Sequence, residues 1–335
     1  MMWAARLYGP GDVRVERIAI PRPMPGEVLV EVERVGLCGS DVEEYLNAPV
    51  CSPVDRDGRI IPITLGHEIV GRVAECPGGE LPIGAPVIPD VVVGCGRCPW
   101  CLRHEEGLCP GLRVRGQHQD GGLARWMIAS AATCVVVPDH VPPESAVFAE
   151  PLAVAVRALR KAPDLAGATV LVYGAGTIGQ LVVQLATASP ARRVIAVDPV
   201  AERRDLASAR GAVAVHPSEA TPAVADVVIE CSGVPDAPGE AVRLCRPGGT
   251  VVLVGFRRGE LTVPWLDVVL GERRLLGSAA HVWDEDTAAA VALLARGVVD
   301  PAPLHERTLP LTEVAAALRR PTGFKTLIDP SGDMP

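Results

Sequence analysis

Aromatic residues make up only 3% of this 335-residue chain, and lysine occurs twice, as Lys161 and Lys325. So few rings give no hint of an aryl-binding pocket. A net positive charge is also missing: the formal net charge is −8. That balance leaves no electrostatic footprint for nucleic acid or for an anionic membrane surface. No apolar stretch reaches the length of a membrane span. The first ten residues, MMWAARLYGP, lack the apolar core of an export signal and lead into the alternating run Val13-Arg14-Val15-Glu16-Arg17. The expected compartment is therefore the cytoplasm. Internal repeats and low-complexity segments are absent from the sequence.

What remains is a chain of ordinary globular composition, 48% hydrophobic and 21% charged, long enough for two domains. It carries ten cysteines. Four of them, Cys95, Cys98, Cys101 and Cys109, follow C-x2-C-x2-C-x7-C within one short polar lobe. Tetrahedral zinc takes four thiolates, and two-residue spacers let the chain wrap one ion. Such a site has no open position, so its role is structural. Disulfides would need an oxidising compartment. An iron–sulfur cluster would also accept four thiolates, but the charged surroundings, Arg97, Arg103, His104, Glu105 and Glu106, suit a surface zinc lobe better.

The chain falls into three stretches. Residues 1 to about 145 read as short strands broken by Gly and Pro, for example 28–35 and 69–74, and imply an all-β, barrel-like unit. From about 150 to 285, Ala-rich helical runs alternate with buried apolar strands at 169–173, 193–198, 225–230 and 250–255. That alternation implies a parallel, doubly wound sheet. Residues 286–335 hold helices near 287–296 and 313–320 and a strand at 326–328. This tail is too short to be a domain and is expected to pack back on the first one.

The run Gly174-Ala175-Gly176-Thr177-Ile178-Gly179 is G-x-G-x-x-G, following a strand and opening a helix. Gly174 permits a tight turn, Gly176 lets backbone approach a pyrophosphate, and Gly179 lets helix and sheet pack closely. The helix N-terminus then faces the phosphates. The next strand ends at Asp198, where a carboxylate accepts ribose hydroxyls and repels a 2′-phosphate. That favours NAD over NADP, with Arg203 and Arg204 as the opposing signal.

Three further residues are zinc-ligand types in suggestive settings: Cys38 in Cys38-Gly39-Ser40-Asp41, His67 in Gly66-His67-Glu68, and Glu150 in Ala149-Glu150-Pro151. Singly, each is as well explained as a core cysteine, a satisfied core histidine and a helix-start carboxylate. Taken with the four-cysteine lobe and the glycine fingerprint, they resemble the zinc-dependent medium-chain dehydrogenases of the alcohol dehydrogenase superfamily, in particular the polyol, sorbitol, threonine and butanediol dehydrogenase branch.

The resemblance covers essentially the whole chain. It implies an α/β architecture in which a GroES-like β catalytic domain (1–148, with the zinc lobe at about 93–111) is completed by a C-terminal segment (286–335). A Rossmann NAD-binding domain (149–285) lies between them. It implies one catalytic zinc on Cys38, His67 and Glu150, with Glu68 a direct ligand in some members or states, and one structural zinc on Cys95, Cys98, Cys101 and Cys109. It gives cofactor-binding roles to Gly174, Gly176, Thr177, Ile178, Gly179, Asp198, Arg203, Val254 and Lys325, the last near the pyrophosphate. Ser40 starts a proton relay. Where family members often have a histidine to pass the proton on, this chain has Glu43.

The implied activity is zinc-dependent hydride transfer between a secondary alcohol (a diol, polyol, sugar or aminocyclitol) and NAD, giving a ketone. The site is expected in the cleft between the domains. Glu43, Glu44 and Tyr45, with the Pro-containing stretch 48–62, are expected at its mouth and suit a polar substrate. A homodimer or homotetramer pairing through 263–278 is expected. The alternatives are a zinc-scaffolded NAD-binding protein without dehydrogenase activity and an NADPH-dependent carbonyl reductase of the same fold.

Overall fold

A computed structural model describes residues 1–321 and 323–332. The backbone divides into two compact units: Met1–Glu150 with the C-terminal segment from His281 onward, and Pro151–Ala280.

The first unit is built from short strands because turn residues interrupt every apolar run. Strands β1 (Met2–Gly9) and β2 (Asp12–Ile18) form a hairpin, followed by β3 (Glu27–Gly36), helix α1 (Gly39–Asn47), β4 (Ile63–Thr64), β5 (Glu68–Glu75) and β6 (Pro86–Pro89). The hairpin turns at Gly11, whose φ of 73° suits glycine. Then come β7 (Val92–Val93), β8 (Arg113–Val114), β9 (Trp126–Ser130), β10 (Cys134–Val136), the short helix α2 (Pro143–Ala146), and α3 (Ala149–Lys161), which carries the chain out of this unit.

In the second unit, β11 (Thr169–Tyr173), α4 (Thr177–Thr187), β12 (Arg193–Val197), α5 (Ala201–Ala209), β13 (Val213–Val215), β14 (Ala225–Glu230), α6 (Ala237–Leu244), β15 (Cys245–Leu253), α7 (Trp265–Leu270) and β16 (Arg274–Gly277) alternate. All six strands are parallel, in the order β13-β12-β11-β14-β15-β16. This is the 3-2-1-4-5-6 order of a dinucleotide-binding sheet, with its switch point between β11 and β14. The central strands β11, β12 and β14 are almost continuously apolar because both faces are covered. Leu171, Val197, Val228, Val242 and Val251 share one buried cluster.

The chain then returns through a π-helical turn (Trp283–Thr287), α8 (Ala288–Ala295), β17 (His305–Pro310), α9 (Val314–Arg319) and β18 (Lys325–Asp329). β18 pairs antiparallel with β3 and parallel with β17, giving the order β10-β6-β5-β3-β18-β17, with β9 also on β3. This pairing ties the tail to the first unit. Its consequence is local: Gly36 of β3 faces both Glu68 of β5 and Leu327 of β18, which brings Lys325 to the start of β5. Among the described residues no helix is long and apolar enough to cross a membrane.

Candidate active site

The first cluster lies where β3 gives way to α1. Cys38 ends the connection, and its N–H donates to Asp41 Oδ2 at 2.8 Å. The other Asp41 oxygen lies 3.3 Å from His67 Nδ1. Asp41 is fully buried and thus fixes both the Cys38 backbone and the His67 ring. A ligating histidine needs its second nitrogen anchored in this way. Burial alone would lower the His67 pKa, but Asp41, aided by Cys38, raises it well above its ordinary value. Ligand atoms of Cys38, His67 and Glu68 lie within 4.8 Å of one another. One thiol, one imidazole and one carboxylate form a donor set suited to zinc that keeps a position open.

Glu68 can reach this cluster because Gly36 has no side chain. A Cβ there would stand 2.1 Å from Glu68 Oε2. Burial raises the Glu68 pKa, and Lys325 is the main opposing influence. The Lys325 ammonium lies 2.6 Å from Glu68 Oε1 and donates to the Leu37 carbonyl at 3.1 Å. Lys325, expected near a pyrophosphate, is 4% exposed and pairs with Glu68.

Glu150 does not join the three-residue cluster. Its Oε1 lies 3.5 Å from His281 Nδ1, and His281 Nε2 lies 3.2 Å from Asp90 Oδ1. Burial would raise the Glu150 pKa, but His281 together with His67 and Lys325 brings it below the ordinary value. Burial would likewise lower that of His281, but Asp90 and Glu150 raise it to about 10.

Ser40, in the first turn of α1, has its Oγ 3.4 Å from His67 Nε2, and Gln117 Nε2 donates to it at 3.3 Å. Glu43 is half-buried one turn further on in the same helix. Glu44 and Tyr45, read from the sequence as polar groups at the mouth, are buried and committed. Glu44 accepts the backbone N–H groups of Val50 (3.0 Å), Cys51 (2.8 Å) and Ser52 (3.1 Å). The Tyr45 hydroxyl donates to the Gly11 carbonyl at 3.1 Å. Three adjacent amides need an acceptor, and the carboxylate supplies it, tying the stretch 48–62 to α1.

The four-cysteine lobe follows β7. Cys95, Cys98, Cys101 and Cys109 place their sulfurs within 4.8 Å of one another. Gly94 permits this, since a Cβ there would stand 2.6 Å from Cys101 Sγ. The N–H groups of Arg97 and Cys98 pull the Cys95 thiol down to about 6, so it is readily available as a thiolate.

The second unit carries the glycine fingerprint between β11 and α4. Gly174 has φ 90°, and a Cβ would press on Ser232 at 2.7 Å. At Gly179 a Cβ would stand 1.9 Å from the Gly174 carbonyl. At Gly176 a Cβ would meet nothing within 4 Å, leaving open space over the N-terminus of α4, the setting a pyrophosphate needs. Thr177 and Ile178 open the helix. Asp198 Oδ2 accepts the Ala175 N–H at 2.8 Å, Oδ1 accepts the Val200 N–H at 2.8 Å, and the Arg203 guanidinium lies 3.7 Å away. Val254 follows β15, its N–H on the Glu230 carbonyl at 2.9 Å.

Two family models match: "Alcohol dehydrogenase GroES-like domain" over residues 24–139 and "Zinc-binding dehydrogenase" over 177–296. The L-idonate 5-dehydrogenase (NAD(P)(+)) of Escherichia coli is 32% identical over 87% of this chain and 87% of its own. The erythritol/L-threitol dehydrogenase of Mycolicibacterium smegmatis is 30% identical over 95% and 93%. The chain belongs to the zinc-dependent medium-chain dehydrogenases. A Sinorhizobium meliloti protein described as a zinc-binding dehydrogenase, solved bound to NADP, superposes with a TM-score of 0.90 at 33% identity, covering 98% of this chain and 99% of that one. The dehydrogenase is thus an NAD(P)-dependent oxidoreductase interconverting an alcohol and a carbonyl.

Sequence reading missed three residues around this dehydrogenase's first cluster. Asp41 could have been found, since it lies three residues after Cys38, within one helical turn. Gln117 and His281 carry no local signal, because both sit in irregular segments far along the chain from Ser40 and Glu150.

Proposed function

We propose that this dehydrogenase oxidises a secondary alcohol of a diol, polyol or sugar-type substrate to the ketone, using NAD in preference to NADP. The carrying observation is the convergence of Cys38, His67 and Glu68 beside the Ser40 hydroxyl. In this reading residues 1–148 with 286–335, joined by Glu150 and His281, do the metal chemistry, and the rest of 149–285 binds the cofactor. Cys38 and His67 hold a catalytic zinc. The lasting carboxylate is Glu150, which faces His281 through one oxygen at 3.5 Å and keeps the other for the metal, whereas Glu68 is held at 2.6 Å by Lys325. Glu68 is the alternate ligand. The four-cysteine lobe holds a second, structural zinc.

When bound, zinc supplies a Lewis acid for the alcohol oxygen and the nicotinamide supplies the hydride acceptor. The chain's own residues handle the proton. Ser40 Oγ takes the substrate's hydroxyl proton as it gives up its own. Gln117 donates to that oxygen and so orients it. Glu43, one turn away on the same helix face, carries the proton to solvent.

Asp198 supports the NAD preference, since a 2′-phosphate would crowd its carboxylate. Arg203 at 3.7 Å and the NADP-bound relative stand on the other side. The substrate class rests on relatives that act on idonate and on erythritol or threitol. A homo-oligomer is part of the proposal. It is supported by α7, which exposes Trp265, Leu266, Val269 and Leu270 next to β16, an edge strand open on one side. The thiol-rich lobe suits a reducing cytoplasm. The test is a panel of diols, polyols and sugar acids, followed by nicotinamide absorbance with each cofactor. Turnover with at least one secondary alcohol, and efficiency with NAD roughly a hundredfold above NADP, a gap of about 2.7 kcal/mol, is expected. No turnover on any panel member, or an NADP preference, contradicts the reading.

A further inference from the structure

His281 is 3% exposed, and its Nδ1 has no hydrogen-bond partner. A buried donor left this way needs an explanation. Its ring is held from both sides. Asp90 Oδ1 accepts the Val92 N–H at 3.1 Å and lies 3.2 Å from His281 Nε2. The Val282 N–H donates to Asp286 Oδ2 at 2.9 Å, fixing the backbone next to the ring at the start of the π-helical turn. The free Nδ1 faces the Glu150 carboxylate at 3.5 Å. Both neighbours of the ring are carboxylates, which only accept when ionised, so both ring nitrogens act as donors.

We infer that His281, braced by Asp90, is a positioning residue for Glu150: its Nδ1–H is kept to anchor one Glu150 oxygen while the other turns to the catalytic metal. The inference rests on the reading of Glu150 as a metal-holding residue. A ligating carboxylate with one oxygen anchored gains orientation, and loss of such an anchor typically costs roughly 10–100-fold in metal affinity. Asp90 lies only a few residues before Cys95. The four-cysteine lobe nevertheless keeps its own ligands, so its zinc serves as an internal reference.

The experiment is zinc content of the full-length protein after dialysis against a graded series of a zinc chelator, for wild type and for His281→Leu, His281→Asn and His281→Gln. Asparagine places an amide near the Nδ1 position and can still reach Glu150. Glutamine places it near Nε2 and keeps only Asp90. Expected is selective loss of one of two zincs at a roughly 10–100-fold lower chelator strength in the leucine and glutamine variants. The asparagine variant should be largely rescued, and the lobe zinc should be retained in all three. Equal zinc retention in wild type and His281→Leu overturns the inference, as does equal loss in the asparagine and glutamine variants. Glu150→Ala separates the two levels. If it keeps both zincs at wild-type affinity, the assignment of Glu150 itself fails. If it loses one while His281→Leu does not, only the role of His281 fails.

Discussion

Replacing Lys325 with methionine keeps the aliphatic stem and removes the ammonium. The side chains of Lys325 and Glu68 are 5% and 2% exposed, and the pair is 2.6 Å apart. The variant therefore leaves a buried carboxylate without its main counter-charge, with Glu150 nearby and only His67 to offset it. Breaking a buried pair from one side costs about 3–5 kcal/mol. For a unit of this size that lowers the Tm of the metal-free protein by roughly 10 °C. The assay is thermal unfolding by circular dichroism, without and with zinc. A metal ion beside Glu68 replaces part of the lost charge, so zinc should restore more stability to the variant than it adds to wild type. The double variant Lys325→Met, Glu68→Gln removes the orphaned charge and should regain most of the loss. A change below about 1 kcal/mol, together with a raised KM for NAD, would refute the reasoning. It would return Lys325 to the cofactor role expected from the sequence.

Glu44→Ala strands three backbone N–H groups and should destabilise the protein by about 2–4 kcal/mol in denaturant unfolding, with faster amide exchange at Val50, Cys51 and Ser52. Ser40→Ala should lower kcat by roughly a hundredfold while zinc content stays at the wild-type value, the pattern of a lost proton-transfer group. Leu270→Glu together with Trp265→Glu should shift the solution mass from oligomer to monomer by light scattering. An unchanged mass would clear α7 and β16 of that role.

The parts legible in the sequence are those whose physics is local. The four-cysteine lobe follows from spacing and from the charged residues beside it. The strand Thr169–Tyr173 and the glycine turn after it are adjacent in the chain, so periodicity and glycine position reveal both. Cys38 and His67 are 29 positions apart, and only the resemblance joined them; the crossing of β3, α1 and β5 does so physically. β17 escaped notice because it is a polar edge strand, with the sequence HERTLP largely exposed, and an edge strand needs no apolar alternation. Glu44 read as a polar group at the substrate mouth because nothing in its neighbours tells of three amides folding back onto it. Lys325 was placed near the pyrophosphate by the resemblance alone; its contact with Glu68 has no local signal, because it depends on Gly36 leaving room for that side chain.

The central claim is that alcohol oxidation depends on a zinc held by Cys38 and His67, distinct from the zinc of the cysteine lobe. Zinc per chain and alcohol-dependent NADH formation, measured on the same preparations of wild type, His67→Ala and Cys98→Ser, test it most directly. Wild type should carry two zincs and each variant one. His67→Ala should be folded but inactive. Cys98→Ser should be markedly less stable, with its remaining zinc at the active cluster. A wild-type chain that turns over substrate with a single zinc, or a His67→Ala variant that keeps both zincs and full activity, would contradict it.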